Sequence, residues 1–299
     1  MGKIPLFVTT EWLVARLDDS NLRIIDATTF LGPPLHEAYM DVSSGREAYE
    51  KKHIQGAVFA DLYKDFSESG SELSYTHPSR EKFINHISEL GVGEGTYVVV
   101  YDQGITDDDS VAVSYWASRL TWQLRCEGFE QVAVLDGGFV KWLEEGRPTT
   151  SQSNSYLQGN FEGVRKPELI VGKEDIQEAL DDENTIIVDS LPPDSYNGDP
   201  KSTERSGHIP GSVNIFFGLH SNYETKELYP DEAIRETFER AEVLDPNKKV
   251  IVYCGFGVAA TWMALLLNKL GQNNVAVYDG SMEEWASDVS LPLEINERI

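Results

Sequence analysis

Cysteine is nearly missing from this chain: Cys126 and Cys254 are the only two among 299 residues. Two thiols cannot build a disulfide framework, and nothing around them has metal-ligand spacing. The expectation that follows is a reducing, cytoplasmic setting in which both stay free, with no metal and no organic cofactor. Positive charge is scarce too. Lys and Arg number 25 against 50 Asp and Glu, a formal net charge of −25. That balance argues against nucleic-acid or anionic-membrane partners, which require basic surfaces. The acidic excess is spread along the chain, including Asp107 to Asp109 and Asp181 to Glu183, and reads as a solvated face. A long hydrophobic run is also lacking. The most apolar stretch, Ala259 to Leu267, is too short to span a bilayer. The opening MGKIPLFVTTEW carries neither the apolar core of an export signal nor the arginine-rich pattern of a transit peptide.

What the sequence does have is concentrated in Lys248 to Gly271, KKVIVYCGFGVAATWMALLLNKLG. Val250 to Tyr253 form a short buried-strand signal, a Cys-Gly-Phe-Gly turn follows, and a run of helical length comes next. Cys254 stands at the bend. Glycines at 255 and 257 allow successive N–H groups to converge on one spot, and the helix adds its positive N-terminal end there. Both effects favour a thiolate. The plain alternative is a small apolar cysteine ending a core strand; the strand-Cys-Gly-x-Gly-helix order favours the anion cradle.

The length predicts two domains, and the second half repeats the first. TIIVDS (185–190) answers RIIDAT (23–28), and RSGHIPGSVNI answers KKHIQGAVFA, placing His208 opposite His53. KKVIVYCGFG answers TYVVVYDQG, so Cys254 falls opposite Asp102. NVAVYDGSMEEW answers QVAVLDGGFVKW, pairing Asp279 with Asp136 and Trp285 with Trp142. Strands alternate with helices, including one from about Val111 to Cys126, which predicts a mainly parallel sheet flanked by helices in each half. The expected organisation is an N-terminal domain over 1–148, a linker over 149–165 and a C-terminal domain over 166–299.

With these motifs in this order, the chain resembles the tandem-domain rhodanese family of sulfurtransferases. The resemblance implies two duplicated α/β domains, with the catalytic cysteine, Cys254, in the C-terminal one and an inactive copy carrying Asp102 at the matching place. It implies transfer of a sulfane sulfur from a small-molecule donor to a thiol or cyanide acceptor through a Cys254 persulfide. A thioredoxin-like protein is one such acceptor, and the protein is expected to act as a monomer. The N–H groups of Gly255, Phe256, Gly257, Val258 and Ala259 are the candidate cradle, and Arg205 is the candidate cation for an anionic donor. His208, retained as His53 in the inactive half, reads as a turn hydrogen bond rather than a base. Asp189 and Asp279, which recur as Asp26 and Asp136, read as strand-end and turn residues. Cys126 and the two repeat tryptophans read as packing.

The loop departs from both donor classes of that family. Thiosulfate-preferring members place Arg and Lys after the cysteine, and the mercaptopyruvate type reads Cys-Gly-Ser-Gly-Val-Thr. Here Phe256 and Ala259 remove both hydroxyls. The donor stays open among thiosulfate, 3-mercaptopyruvate and a bulkier persulfide such as that of glutathione. Ahead of GHIPG only Ser195, Lys201 and Arg205 remain as clamp candidates, and Asp65 and His77 are not assigned a role. The phosphatase branch of the fold needs an arginine closing the loop, whereas the sixth residue after Cys254 is Ala260 and 255–270 contains no arginine. A non-enzymatic sulfur-carrier or binding module is the remaining alternative.

Overall fold

The structure, a computed structural model, describes residues 2–36, 39–103, 113–198 and 205–296. Five strands form the first sheet: β1 (Phe7–Val8), β2 (Leu22–Asp26), β3 (Ala57–Phe59), β4 (Tyr97–Tyr101) and β5 (Val132–Leu135). Their spatial order is β1-β5-β4-β2-β3, and every pairing is parallel. The second sheet repeats this with β6 (Ile170–Val171), β7 (Thr185–Asp189), β8 (Val213–Asn214), β9 (Lys249–Tyr253) and β10 (Val275–Tyr278), ordered β6-β10-β9-β7-β8. Asp26 pairs with Tyr101 and Asp189 with Tyr253, so the strand before each candidate loop ends at the same register. The central strands are buried on both faces, which is why they read as unbroken apolar runs instead of alternating ones.

Three helices of each half matter for the site. In the first they are α1 (Arg80–Glu89), α2 (Tyr115–Cys126) and α3 (Gly138–Glu144); in the second, α4 (Asp231–Arg240), α5 (Ala259–Lys269) and α6 (Ser281–Ser287). The helix expected from Val111 begins at Tyr115, and residues 111–112 lie outside the described residues. Helices α2 and α5 pack on each other across the domain boundary, and one apolar cluster runs through both halves. Phe7 of the first half meets Trp262 of the second edge-on at 5.3 Å. Residues 151–166 carry no helix or strand and run along the first half, where the Tyr156 hydroxyl donates to the Gly56 carbonyl at 2.7 Å. Thr149–Thr150, at the start of the expected linker, pair antiparallel with His53–Ile54.

The repeated histidines have the same role twice. His53 stacks on Tyr49 at 3.9 Å and His208 on Tyr196 at 3.7 Å. Each places Nδ1 against the carbonyl oxygen of that tyrosine, at 2.6 and 2.8 Å. A carbonyl only accepts, so Nδ1 carries the proton and the ring is a fold contact. Trp142 and Trp285 are fully buried and donate Nε1–H to Pro148 and Pro292. Asp26 and Asp189 accept the N–H two residues on, from Thr28 and Leu191, closing strand-end turns.

Burial pushes the carboxyls of Asp26, Asp136 and Asp189 up to about 6. Between about pH 4 and 6 these groups bind more protons folded than unfolded, so stability falls as pH rises through that window. Lowering the pH from 7 to 5 is expected to stabilise the fold by about 4 kcal/mol, roughly a third of it from each carboxyl. Glu127 works the other way at lower pH: burial raises it, but hydrogen bonding and charge from His77, Arg165 and Arg80 outweigh that and hold it low. Stability is therefore lost again below about pH 4. Urea midpoints from pH 3.5 to 7.5 test this. A flat profile between 5 and 7 would contradict it, and Asp26→Asn should remove part of the slope.

Candidate active site

Cys254 follows β9 directly and is buried, with only 3% of its surface exposed. Its N–H donates to Ser281 Oγ at 3.1 Å. The loop that follows is held from behind. The carbonyls of Cys254 and Gly255 accept the N–H groups of Met282 and Glu283, both at 3.0 Å, from the first turn of α6. Gly257 adopts φ +69, a left-handed backbone, and its carbonyl accepts from Arg119 Nη1 at 3.1 Å. None of the N–H groups of Gly255 through Ala259 donates to a backbone acceptor among the described residues. The carbonyls of Cys254 and Gly255 are taken up by α6 and that of Gly257 by Arg119, so these N–H groups stand beside the thiol at the start of α5 with no such partner.

The first half carries a different side chain at the position that matches Cys254. Asp102 occupies the matching place after β4, and its Oδ2 accepts the Ala117 N–H of α2 at 2.9 Å. Its carbonyl accepts from Phe139 N–H at 2.9 Å, the counterpart of Met282 to Cys254. A carboxylate thus sits where the second half has its thiol.

A cleft of about 740 Å³ opens over the loop, lined by Gly255, Phe256, Arg205, Met282 and Glu283 from the second half and by Glu72 and Leu73 from the first. Phe256 is half-buried, and its ring meets Tyr75 of the first half edge-on at 6.4 Å. Arg205 lines this cleft, and its guanidinium donates to the carbonyls of Ala286, Asp288 and Leu291 at 3.3, 2.7 and 2.7 Å. Lys201 lies outside the described residues. Among the described residues no group of His, Cys, Asp and Glu could hold a metal. Cys126 is buried in α2, where burial pushes its thiol well up, away from the reactive thiolate.

The first half also supplies residues that the repeat pattern does not reveal. Asp279, read from sequence as a turn residue, reaches across the boundary: its Oδ2 accepts from His77 N–H at 2.7 Å and its Oδ1 from Arg119 Nη2 at 2.6 Å. Glu283 accepts both the N–H and the hydroxyl of Ser74 at 2.7 Å. Asp136 mirrors Asp279 by accepting Leu228 N–H at 2.9 Å. Tyr75, between these anchors, takes φ 55, an unusual conformation for a bulky side chain, while its carbonyl accepts from Arg119 at 2.6 Å. His77 places Nε2 3.0 Å from Glu127 and so braces the first half instead of facing the cleft. The signal available in the sequence was Arg119 itself, a cation inside the apolar run SYWASRLTWQL.

A rhodanese-like domain is matched twice, over residues 9–145 and 173–288. The chain belongs to the rhodanese family. Human 3-mercaptopyruvate sulfurtransferase is 33% identical over 285 residues, covering 93% of this chain and 91% of the human one. Bovine thiosulfate sulfurtransferase is also 33% identical, over 286 residues, with the same coverages. The crystal structure of SseA from Escherichia coli, a 3-mercaptopyruvate sulfotransferase, matches with a TM-score of 0.77 and 30% identity, covering 93% of this chain and 99% of that one. As a member of this family with relatives of that kind along nearly its whole length, the protein is a sulfurtransferase, built as two rhodanese domains.

Proposed function

We propose that this sulfurtransferase works through a persulfide on Cys254. The Cys254 thiolate attacks the outer sulfur of thiosulfate or the thiol sulfur of 3-mercaptopyruvate, and the S–S or C–S bond between that sulfur and the rest of the donor breaks. The bonding pair leaves with the remainder, as sulfite from thiosulfate or, after proton uptake, as pyruvate from 3-mercaptopyruvate. The terminal sulfur of Cys254-S-S⁻ then passes to cyanide or a thiol, and the cysteine thiolate is regenerated. The observation that supports this reading is the run of N–H groups from Gly255 to Ala259 that donate to no backbone acceptor among the described residues, next to a cysteine at the position where the other half carries a carboxylate. Donors fixed before reaction stabilise the persulfide charge without reorganising.

The acceptor we favour in the cell is a small thiol or a thioredoxin-like protein, in a reducing cytoplasm that leaves both cysteines free. Incubating the reduced protein with thiosulfate, or with 3-mercaptopyruvate, should add about 32 Da, which cyanide then removes. An unchanged mass with both donors would overturn the persulfide route for them.

The cleft bears on which donor is used. Phe256 presents a ring where a hydroxyl would assist the leaving group, and Arg205 already serves three carbonyls. Phe256→Ser should therefore raise the rate with 3-mercaptopyruvate about tenfold relative to that with thiosulfate, since one well-placed donor to developing charge is worth at least that much. Steady-state kcat/KM for the two donors measures the ratio, and no change in it would show that residue 256 does not select the donor.

A further inference from the structure

We propose that Arg119, which lies in the half without the catalytic cysteine, is a positioning residue that fixes the Val258 N–H of the Cys254 loop. The proposal rests on the persulfide reading, because it names what that N–H is fixed for. Arg119 is in the middle of α2 and only 2% exposed. Its guanidinium joins three segments. Nη1 donates to the Gly257 carbonyl at 3.1 Å, while Nη2 donates to the Tyr75 carbonyl and to Asp279 Oδ1, both at 2.6 Å. Such a buried cation is costly to desolvate unless its donors are paired; the planar fork of arginine holds several acceptors at once, which a lysine ammonium cannot match.

The consequence for the site follows from peptide geometry. In a trans peptide the carbonyl and the N–H of the next residue point in opposite directions, and no peptide among the described residues is cis. Drawing the Gly257 carbonyl toward Arg119 therefore turns the Val258 N–H away from it, toward the inside of the loop. The same rule applied to Cys254 and Gly255, whose carbonyls are held by α6, turns the N–H groups of Gly255 and Phe256 inward. Two of these three donors are set by the catalytic half itself. The third is set from the other half. The duplication supports an acquired role: counted back from the matching strands QVAV and NVAV, the residue opposite Arg119 is Trp262, which packs against Phe7. Asp136, the counterpart of Asp279, takes its cross-boundary N–H from Leu228, and the neighbouring cross-boundary ion pair is Lys141 with Glu227 at 3.2 Å.

The test compares Arg119→Met, Arg119→Lys and Lys141→Ala, the last removing a cross-boundary contact remote from the loop. Single-turnover persulfide formation, the pH midpoint of Cys254 alkylation by iodoacetamide, and the urea midpoint are read for each. Arg119→Met should form persulfide about tenfold more slowly and raise the alkylation midpoint by about one pH unit, because one anion-facing donor is displaced. Arg119→Lys should recover part of both, and it carries the comparison if the Met variant does not fold. Lys141→Ala should change only the urea midpoint. Arg119 variants that lose stability alone, with wild-type rate and alkylation profile, would overturn the proposal. Wild type that gains no sulfur would overturn the persulfide reading instead, while the alkylation profiles still decide whether Arg119 sets the loop.

Discussion

Changing Cys254 to Ser is expected to lower sulfur transfer by at least about 10,000-fold with either donor, leaving no mass gain after incubation. Serine has nearly the volume of cysteine, so the loop and its carbonyl anchors to α6 and Arg119 should persist, and the urea midpoint should move little. A hydroxyl fails here for electronic reasons: at neutral pH it is not ionised, and sulfur attacks sulfur far more readily than oxygen does. Cys126→Ser is the contrasting variant. Its thiol is buried in α2 and pushed up by that burial, so activity should survive while stability falls as a polar hydroxyl enters the core. The pair of variants also separates chemistry at Cys254 from docking of an acceptor. If Cys254→Ser retained turnover, the cysteine would be a passenger and the transfer chemistry would have to be sought elsewhere; if it kept affinity for an acceptor protein while losing turnover, docking and chemistry would be distinct properties of one cleft.

The duplicated fold was legible because repetition is an internal control. Strand-ending pairs such as Tyr101-Asp102 and Tyr253-Cys254 fix the register of two parallel sheets, and the structure repeats strand order and pairing in both. A sequence also shows that a cysteine before Gly-Phe-Gly and a helix has the makings of an anion site. It does not show what lies opposite. Periodicity tells which side of a helix is buried but not which distant segment buries it, so Arg119 reads as an interruption of an apolar run until Gly257, Tyr75 and Asp279 are seen around it. The same limit applies to Asp279 and Asp136, which local pattern places in turns and which prove to reach into the neighbouring domain. Arg205 illustrates the converse. Its position ahead of GHIPG places it in the cleft, yet only coordinates reveal the three carbonyls its guanidinium serves.

Gly257→Ala should be the most damaging change in the loop short of removing the thiol. The residue has φ +69, where an L side chain is strained by about 1–2 kcal/mol. Space is the second obstacle: a Cβ at this position would collide with the carbonyl oxygen of Asp279, which is backbone and cannot rotate away. The turn would have to open, and the Gly257 carbonyl would leave Arg119, taking the Val258 N–H with it. Displacements near 1 Å at a reacting centre can cost about 100-fold, so kcat/KM should fall at least that far, with about 2 kcal/mol lost from stability. Gly255→Ala isolates the cause. A Cβ there meets nothing within 4 Å, so this variant should lose only a few-fold in rate and little stability. Equal damage at both positions would mean that loop flexibility, not the left-handed turn at Gly257, limits catalysis; near-normal activity in Gly257→Ala would show that the cradle does not depend on that turn.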